Sequence, residues 1–297
     1  YRWITNRGFP QHWNNPAVMI DARRPITSPP VVGFDGTFHW VYFGTGRFID
    51  VHDKTDAGSN AQDSFFGLKE PVDANTGAFT WAAVENSVSP SKPQPGNNAG
   101  ARTLLRVDPI EVEAALSPSF ARLGCRDDSP CLPEGVVIYK DLFDYIVGSC
   151  DTGLGCTGTD GWVHSFVTPR ERNLGQATLL GGLLSFTTYQ PFQDICQPAG
   201  QSYFYNLHFQ TGTPYYAFTT DPANSSLWFE NDDGSPRTVM SRLPLGKGLA
   251  MTPRLFAGRN EGAKAFVQTA TGALLGIPQP GRPINTIKSG RLNWRRE

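Results

Sequence analysis

The stretch "GTGRFIDVHDKTD", Gly44 to Asp56, holds the residues of this chain whose types and spacing come closest to a ligand site. Its glycines, Gly44 and Gly46, could let backbone N–H groups approach a phosphate, and Asp50, Asp53 and Asp56 follow at intervals of three. A phosphate cradle opens a helix, whereas this turn follows the strand-like "HWVYFG" and lies between two strands, so the nucleotide reading fails. Calcium wants about six to eight oxygens, commonly from alternating positions on a tight loop. A spacing of three is too wide for that pattern. A solvated loop is therefore the stronger reading of the three aspartates. "NDDGSP", Asn231 to Pro236, likewise reads as a turn.

Catalytic groups fare no better. His12, His39, His52, His164 and His208 are scattered, and no Ser or Cys stands in a G-x-S-x-G elbow. His39 and His164 sit beside aromatics in strand-like segments and read as structural. The cysteines are more informative. Cys125 and Cys131 bracket "RDDSP", and Cys150 and Cys156 bracket "DTGLG"; such hydrophilic, turn-rich gaps suit small disulfide loops, with free thiols as the alternative. Zinc is disfavoured because neither Cys-x-x-Cys nor His-x-x-x-His occurs, and haem because there is no C-x-x-C-H. Two local disulfides place the chain in an oxidising compartment. Cys196 is left over: its partner lies outside this sequence, or it is a buried free thiol.

The net charge of -1 gives no field for nucleic acid or an anionic membrane. No run of about 18 apolar residues exists to span a bilayer as a helix. The start, "YRWITNRGFPQHW", has neither an initiating Met nor a basic-then-apolar signal segment, which suggests a processed product or a fragment. Charged residues make up 18% of the 297, while Gly (31), Pro (24) and aromatics (12%) are plentiful, a composition for short strands joined by many turns.

The elements that must position any site follow from that composition. "PVVGF" (30–34) and "FHWVYFG" (38–44) flank Asp35-Gly36, a hairpin signal, and "SFFGLKE" (64–70) and "GAFTWAAV" (77–84) complete a four-stranded antiparallel meander. The order recurs in "GQATLLGG" (175–182), "LLSFTTY" (183–189), "SYFYNLHF" (202–209) and "TPYYAFTT" (213–220), with Gly181-Gly182 at the turn. A third copy, weaker at its end, comprises "GLAMTPRLFAG" (248–258), "KAFVQTA" (264–270) and "GALLGIP" (272–278). "DANTGAFTW" and "HFQTGTPYY" share Thr-Gly followed four residues later by a large aromatic, Trp81 or Tyr216. Such a residue wedges between neighbouring sheets, and a radial stack of four-stranded sheets is a β-propeller. Tyr203, Tyr205, Tyr215 and Tyr216 read mainly as packing between sheets, and Asn224 is a glycosylation sequon by pattern only.

These signals predict an all-β chain, with a blade at 25–84, an insertion at 86–160, a blade at 161–220 and a terminal blade at 245–297. The insertion contains a long loop (88–100), a helix starting at Asp108-Pro109, a second helix at 140–148 and both disulfide loops. Insertions on a regular scaffold often carry the specific function.

The blocks "PITSPPV…WVYFGTGRFID…SFFGLKE" (25–70), "GWVHSFVTPRERNLGQATLLGG…NL" (161–207) and the terminal "GRLNWRRE" (290–297) together resemble the C-terminal β-propeller of the PilC/PilY family. Its members are type IV pilus tip-associated adhesins and biogenesis factors. The resemblance covers 25–81 and 161–297 and leaves the insertion unexplained. It implies a partial, quinoprotein-like propeller that belongs to a longer protein with an upstream region and is exported to the cell surface. Minor pilins or the pilus fibre, and a host or environmental surface, would be its partners. It also implies calcium as a cofactor, yet the family's Asp-rich loop is not found, and Asp50, Asp53 and Asp56 are the nearest substitute. No enzymatic role is expected. The rival readings are a periplasmic quinoprotein-like dehydrogenase, for which the vicinal Cys pair and calcium set are missing, and a structural component of an extracellular filament.

Overall fold

The computed structural model describes residues 11, 18–50, 52–55, 62–70, 85–88, 103–113, 118–126, 130–151, 155–156, 158–192, 194, 200–214, 229–230, 238–258 and 262–279. Strands β1 (Val31–Phe34) and β2 (His39–Gly44) pair antiparallel across the Asp35-Gly36 turn. The Asp35 carboxylate accepts the Thr37 and Phe38 amides at 2.8 and 2.6 Å and the Trp40 indole N–H at 2.8 Å, while Gly36 takes a φ of 103°. Local turn chemistry thus fixes this hairpin. A helical turn, α1 (His52–Thr55), precedes β3 (Ser64–Lys69), which pairs antiparallel with β2 and is buried throughout.

Next come β4 (Glu85–Val88) and β5 (Thr103–Arg106), parallel to each other, then the hairpin of β6 (Ile110–Val112) and β7 (Leu123–Cys125). Helix α2 (Tyr139–Val147) leads to the small hairpin of β8 (Cys150–Asp151) and β9 (Gly155–Cys156), and then to β10 (Gly161–Ser165).

Two expectations are corrected in this region. The place beside β3 that the repeat assigns to 77–84 is held by β10, and the first sheet runs β1-β2-β3-β10-β5-β4. "GWVHS" is buried on both faces and suits a central position; 77–84 lies outside the described residues. The helix expected from Asp108 is instead strand β6. Asp108 accepts from Arg106 at 2.9 and 2.8 Å and from the Ser165 amide at 3.1 Å, so its carboxylate is engaged away from a helix start. Ile110 and Val112 face inward on either side of Glu111, the period of a strand.

The second expected helix is present as α2. Tyr139, Leu142, Ile146 and Val147 are its buried residues, Asp141 accepts the Val137 and Ile138 amides at its start, and Gly148 ends it with a φ of 68°. Lys69, fully buried on β3, donates to the terminal carbonyls of Ile146 at 3.1 Å and Val147 at 2.7 Å. A cation at a helix C-terminus complements the helix dipole, so the helix is pinned to the first sheet.

The second sheet comprises β11 (Arg172–Asn173), β12 (Thr178–Leu180), β13 (Leu183–Pro191) and β14 (Gly200–His208). After the small pair β15 (Phe229–Glu230) and β16 (Thr238–Val239) comes its last member, β17 (Arg242–Lys247). β11 and β12 both pair with β13, and Gly181 and Gly182 turn with φ of 61° and 84°. The place beside β14 expected for 213–220 is held by β17. The third sheet is the meander β18 (Arg254–Gly258), β19 (Gly262–Gln268) and β20 (Leu274–Pro278). Among the described residues the three main sheets therefore have six, five and three strands rather than four each. The chain is mainly β, as its composition predicts, and no helix among the described residues is long and apolar enough to cross a membrane.

Aromatic packing joins the first two sheets. Phe65 stacks on Phe186 with ring centroids 3.9 Å apart, and Phe186 stacks on Tyr205 at 5.0 Å. Trp162 lies between two glycines: a Cβ on Gly67 or on Gly212 would come within 2.3 Å of its indole. Its Nε1 donates to the Phe209 carbonyl at 3.0 Å. Phe204, Leu243, Ala265, Val267 and Ile277 fill the second interface, between the second and third sheets.

Candidate functional site

Asp53 of the acidic loop turns inward. Its Oδ1 accepts from Arg47 at 3.0 and 2.8 Å, and its Oδ2 accepts the Ile49 and Asp50 amides at 2.8 and 2.9 Å. Burial raises its pKa, but the two amides and the Arg47 guanidinium prevail and hold it near about 2. Asp50 pairs with His52 at 2.9 Å, and Asp56 lies outside the described residues. No group of three or more His, Cys, Asp or Glu converges among the described residues. Asp50 and Asp53, with their oxygens directed to different partners, do not fit a calcium cage.

The Gly-Thr-Gly turn is a seat for the second sheet. A Cβ on Gly44 would come within 2.4 Å of the Asn173 side chain, and Gly46, with a φ of 143°, lies equally close to Arg172. Asn173 donates from its backbone to the Thr45 carbonyl at 2.9 Å and from its side chain to Thr187 O at 2.9 Å, and it accepts from Ser28 Oγ at 3.0 Å. Arg172 donates to the Arg47 carbonyl at 2.5 Å. The neighbouring Glu171, wholly buried, accepts from Thr188 at 2.5 Å, Tyr205 at 2.7 Å and Arg242 at 2.6 Å. "RERN" is therefore a polar lock between sheets, and its carboxylate is saturated by its neighbours rather than aimed at a cavity.

The histidines separate into four surroundings. His39 faces Glu70 at 2.9 Å on the surface, and His52 belongs to the acidic loop. His164 is buried edge-on to Tyr205, and burial lowers its pKa to about 4 against the pull of Asp108 and of the Gly212 backbone. Burial lowers that of His208 to about 3. His12 lies outside the described residues. No serine or cysteine nucleophile adjoins any of the described rings in the hydrogen bonds observed.

Cys125 and Cys131 form a disulfide, as their spacing predicts. Cys150 and Cys156 are register partners across the β8–β9 hairpin; Cys196 lies outside the described residues. Tyr205 packs in the core against His164 of the first sheet and the adjoining Phe166, whereas Tyr203 lies under the guanidinium of Arg242 on the adjacent strand β17 at 4.3 Å, a contact within the second sheet. Trp81, Tyr215, Tyr216, Asn224 and the 231–236 turn are outside the described residues.

What the sequence did not signal is an open notch of about 300 Å³ where the insertion meets the second sheet. Ser119, Tyr139, Lys140, Phe143, Asp144 and His208 line it. Three separate segments supply them: the Pro118–Phe120 turn, α2 and the end of β14. The Tyr139 hydroxyl meets Thr211 Oγ1 at 2.7 Å, which in turn meets Thr213 Oγ1 at 2.9 Å. This hydroxyl chain fixes the floor, and Lys69 fixes the far end of the helix.

No family model matches the chain, and no curated protein matches it. Among solved structures it is similar to the crystal structure of the Pseudomonas aeruginosa PilY1 C-terminal domain, with a TM-score of 0.47 and 16% identity, covering 86% of this chain and 46% of that one. The chain thus spans less than half the length of that structure.

Proposed function

We propose that the chain is a propeller portion of a type IV pilus tip-associated protein of the PilC/PilY kind, displayed at the cell surface and acting by binding. One observation carries the binding reading. The insertion is fastened to the sheets by Lys69 and closed by a disulfide, and it presents an open, aromatic-walled notch, whereas the buried polar groups around Glu171 saturate one another. A preformed recess on a rigid scaffold suits recognition.

Other features support the remaining parts of the proposal. The disulfide suits an exported protein. Sheets stacked face to face, with Trp162 docked on the Thr211-Gly212 turn, suit blades of a propeller. The third sheet leaves Phe256 (59%) and Leu274 (67%) exposed, a face on which a further blade from the rest of the protein would seat. The partners in this reading are that upstream region, minor pilins or the fibre, and a host or environmental surface.

Fractionation of native cells tests the proposal: the polypeptide is expected in the sheared pilus fraction and to be lost from it when pilin is deleted. Recovery in the cytoplasm would overturn the reading.

A further inference from the structure

The notch has a charge-balanced rim and aromatic walls. Lys140 and Asp144 lie one helical turn apart and pair with each other, so the rim offers no net charge to select an anion or a cation. Both side chains remain 57% exposed. The ammonium has three donors and the carboxylate about four lone-pair positions, so their mutual contact leaves capacity for a ligand. Ser119 adds an exposed hydroxyl, which can donate or accept.

The walls are aromatic. The Phe143 and His208 rings stand 6.4 Å apart and inclined at 54°, and Tyr139 meets His208 edge-on at 5.9 Å. Together they form a corner rather than a flat shelf. Burial lowers the His208 pKa, so the ring is neutral near pH 7 and adds no cation to the corner. The volume of about 300 Å³ is at the lower end of small-molecule sites and suits one or two six-membered rings.

A ligand matching this surface needs one apolar face, a fringe of hydroxyl groups that both donate and accept, and no net charge. A pyranose has all three: axial C–H groups pack on aromatic faces while equatorial hydroxyls reach donors and acceptors at the rim. Charged ligands would leave one member of the Lys140–Asp144 pair opposed to them. A wholly apolar ligand would desolvate that pair without replacing its water.

We propose that this notch is a binding site for a neutral saccharide of one or two pyranose rings, with the sugar's apolar face against Phe143 and His208 and its hydroxyls on Lys140, Asp144 and Ser119. The inference rests on reading the insertion as the binding surface. Its failure is nonetheless separable from failure of the pilus assignment, because sugar binding is measured on the purified full chain and pilus association on cells.

The test is saturation-transfer NMR and calorimetry with methyl glycosides of glucose, galactose, mannose and N-acetylglucosamine and with two neutral disaccharides. At least one is expected to bind at about 10 mM or below. Phe143→Ala should weaken that binding about tenfold, the value of one aromatic contact. Lys140→Gln, at an exposed position that cannot unfold the core, should weaken it several-fold, and Ile49→Ala, on the remote acidic loop, should leave it unchanged. Absence of binding by the whole panel would overturn the proposal. So would binding that survives both Phe143→Ala and Lys140→Gln, or a preference for sialyllactose, included as the charged comparison, over the neutral sugars.

Discussion

Replacing Gly212 with alanine tests how the sheets are locked together. Two separate costs arise at this position. Gly212 has a φ of 67°, where an L residue loses about 1–2 kcal/mol. A Cβ there would also lie 2.3 Å from the Trp162 indole, which is held from the other side by Gly67 and cannot retreat. Overpacking a closed site costs about 1–3 kcal/mol, so the total is about 2–5 kcal/mol. For a chain of this size that lowers the Tm by roughly 4–15 °C. Gly181→Ala is the internal control, since its φ of 61° is close to that of Gly212 but nothing lies within 4 Å of the new Cβ. It carries the backbone cost alone, and its Tm should fall by no more than about 6 °C. Scanning calorimetry or thermal circular dichroism reads both variants. If Gly212→Ala melts no lower than Gly181→Ala, the Trp162 clamp does not join the sheets and the reasoning fails.

Three further outcomes follow from the same geometry. His164 stays neutral in the folded chain down to about 4, whereas an unfolded histidine takes up a proton below about 6.5, so the stability this site contributes is complete above about 6.5 and falls as pH drops toward 4. The loss from this site is about 3 kcal/mol, and His164→Phe should make urea-derived stability fall less steeply over that window, the remaining slope including that of His208; parallel profiles for the two proteins would refute the assignment. Lys69→Met removes the ammonium from the Ile146 and Val147 carbonyls, and amide exchange at the end of α2 and at Thr159 should accelerate about tenfold while β13 and β14 keep their protection. Cys150 and Cys156 are register partners, so differential alkylation of the native chain is expected to find them oxidised together with Cys125 and Cys131, and free thiols at both positions would contradict this.

The features legible in the sequence are those that a few adjacent residues decide. Asp35-Gly36, Gly181-Gly182, α2 and the Cys125–Cys131 loop each follow from local turn, capping or spacing chemistry. Both misplaced fourth strands fail for the opposite reason. β10 reaches β3, and β17 reaches β14, across long stretches of chain, and nothing within five or six residues records which distant edge they will complete. At Asp108-Pro109 a genuine helix-start signal is overridden, because Arg106 and the Ser165 amide take the carboxylate and β7 pairs with the following segment. Nothing in "SFFGLKE" records that Lys69 will be buried against the end of α2. The notch is illegible for the same reason, since Ser119, Phe143 and His208 come from three segments whose meeting is purely tertiary. "RERN" and the Gly-Thr-Gly turn were visible as motifs, but only their contact reveals that one is the seat of the other.

The most direct test of the account is immunogold labelling of native cells with antibody raised against the purified chain. Binding display at a pilus tip predicts gold at pilus ends and on the cell surface, removed when pilin is deleted. Label confined to the cell interior, or surface label indifferent to pilin, would contradict it.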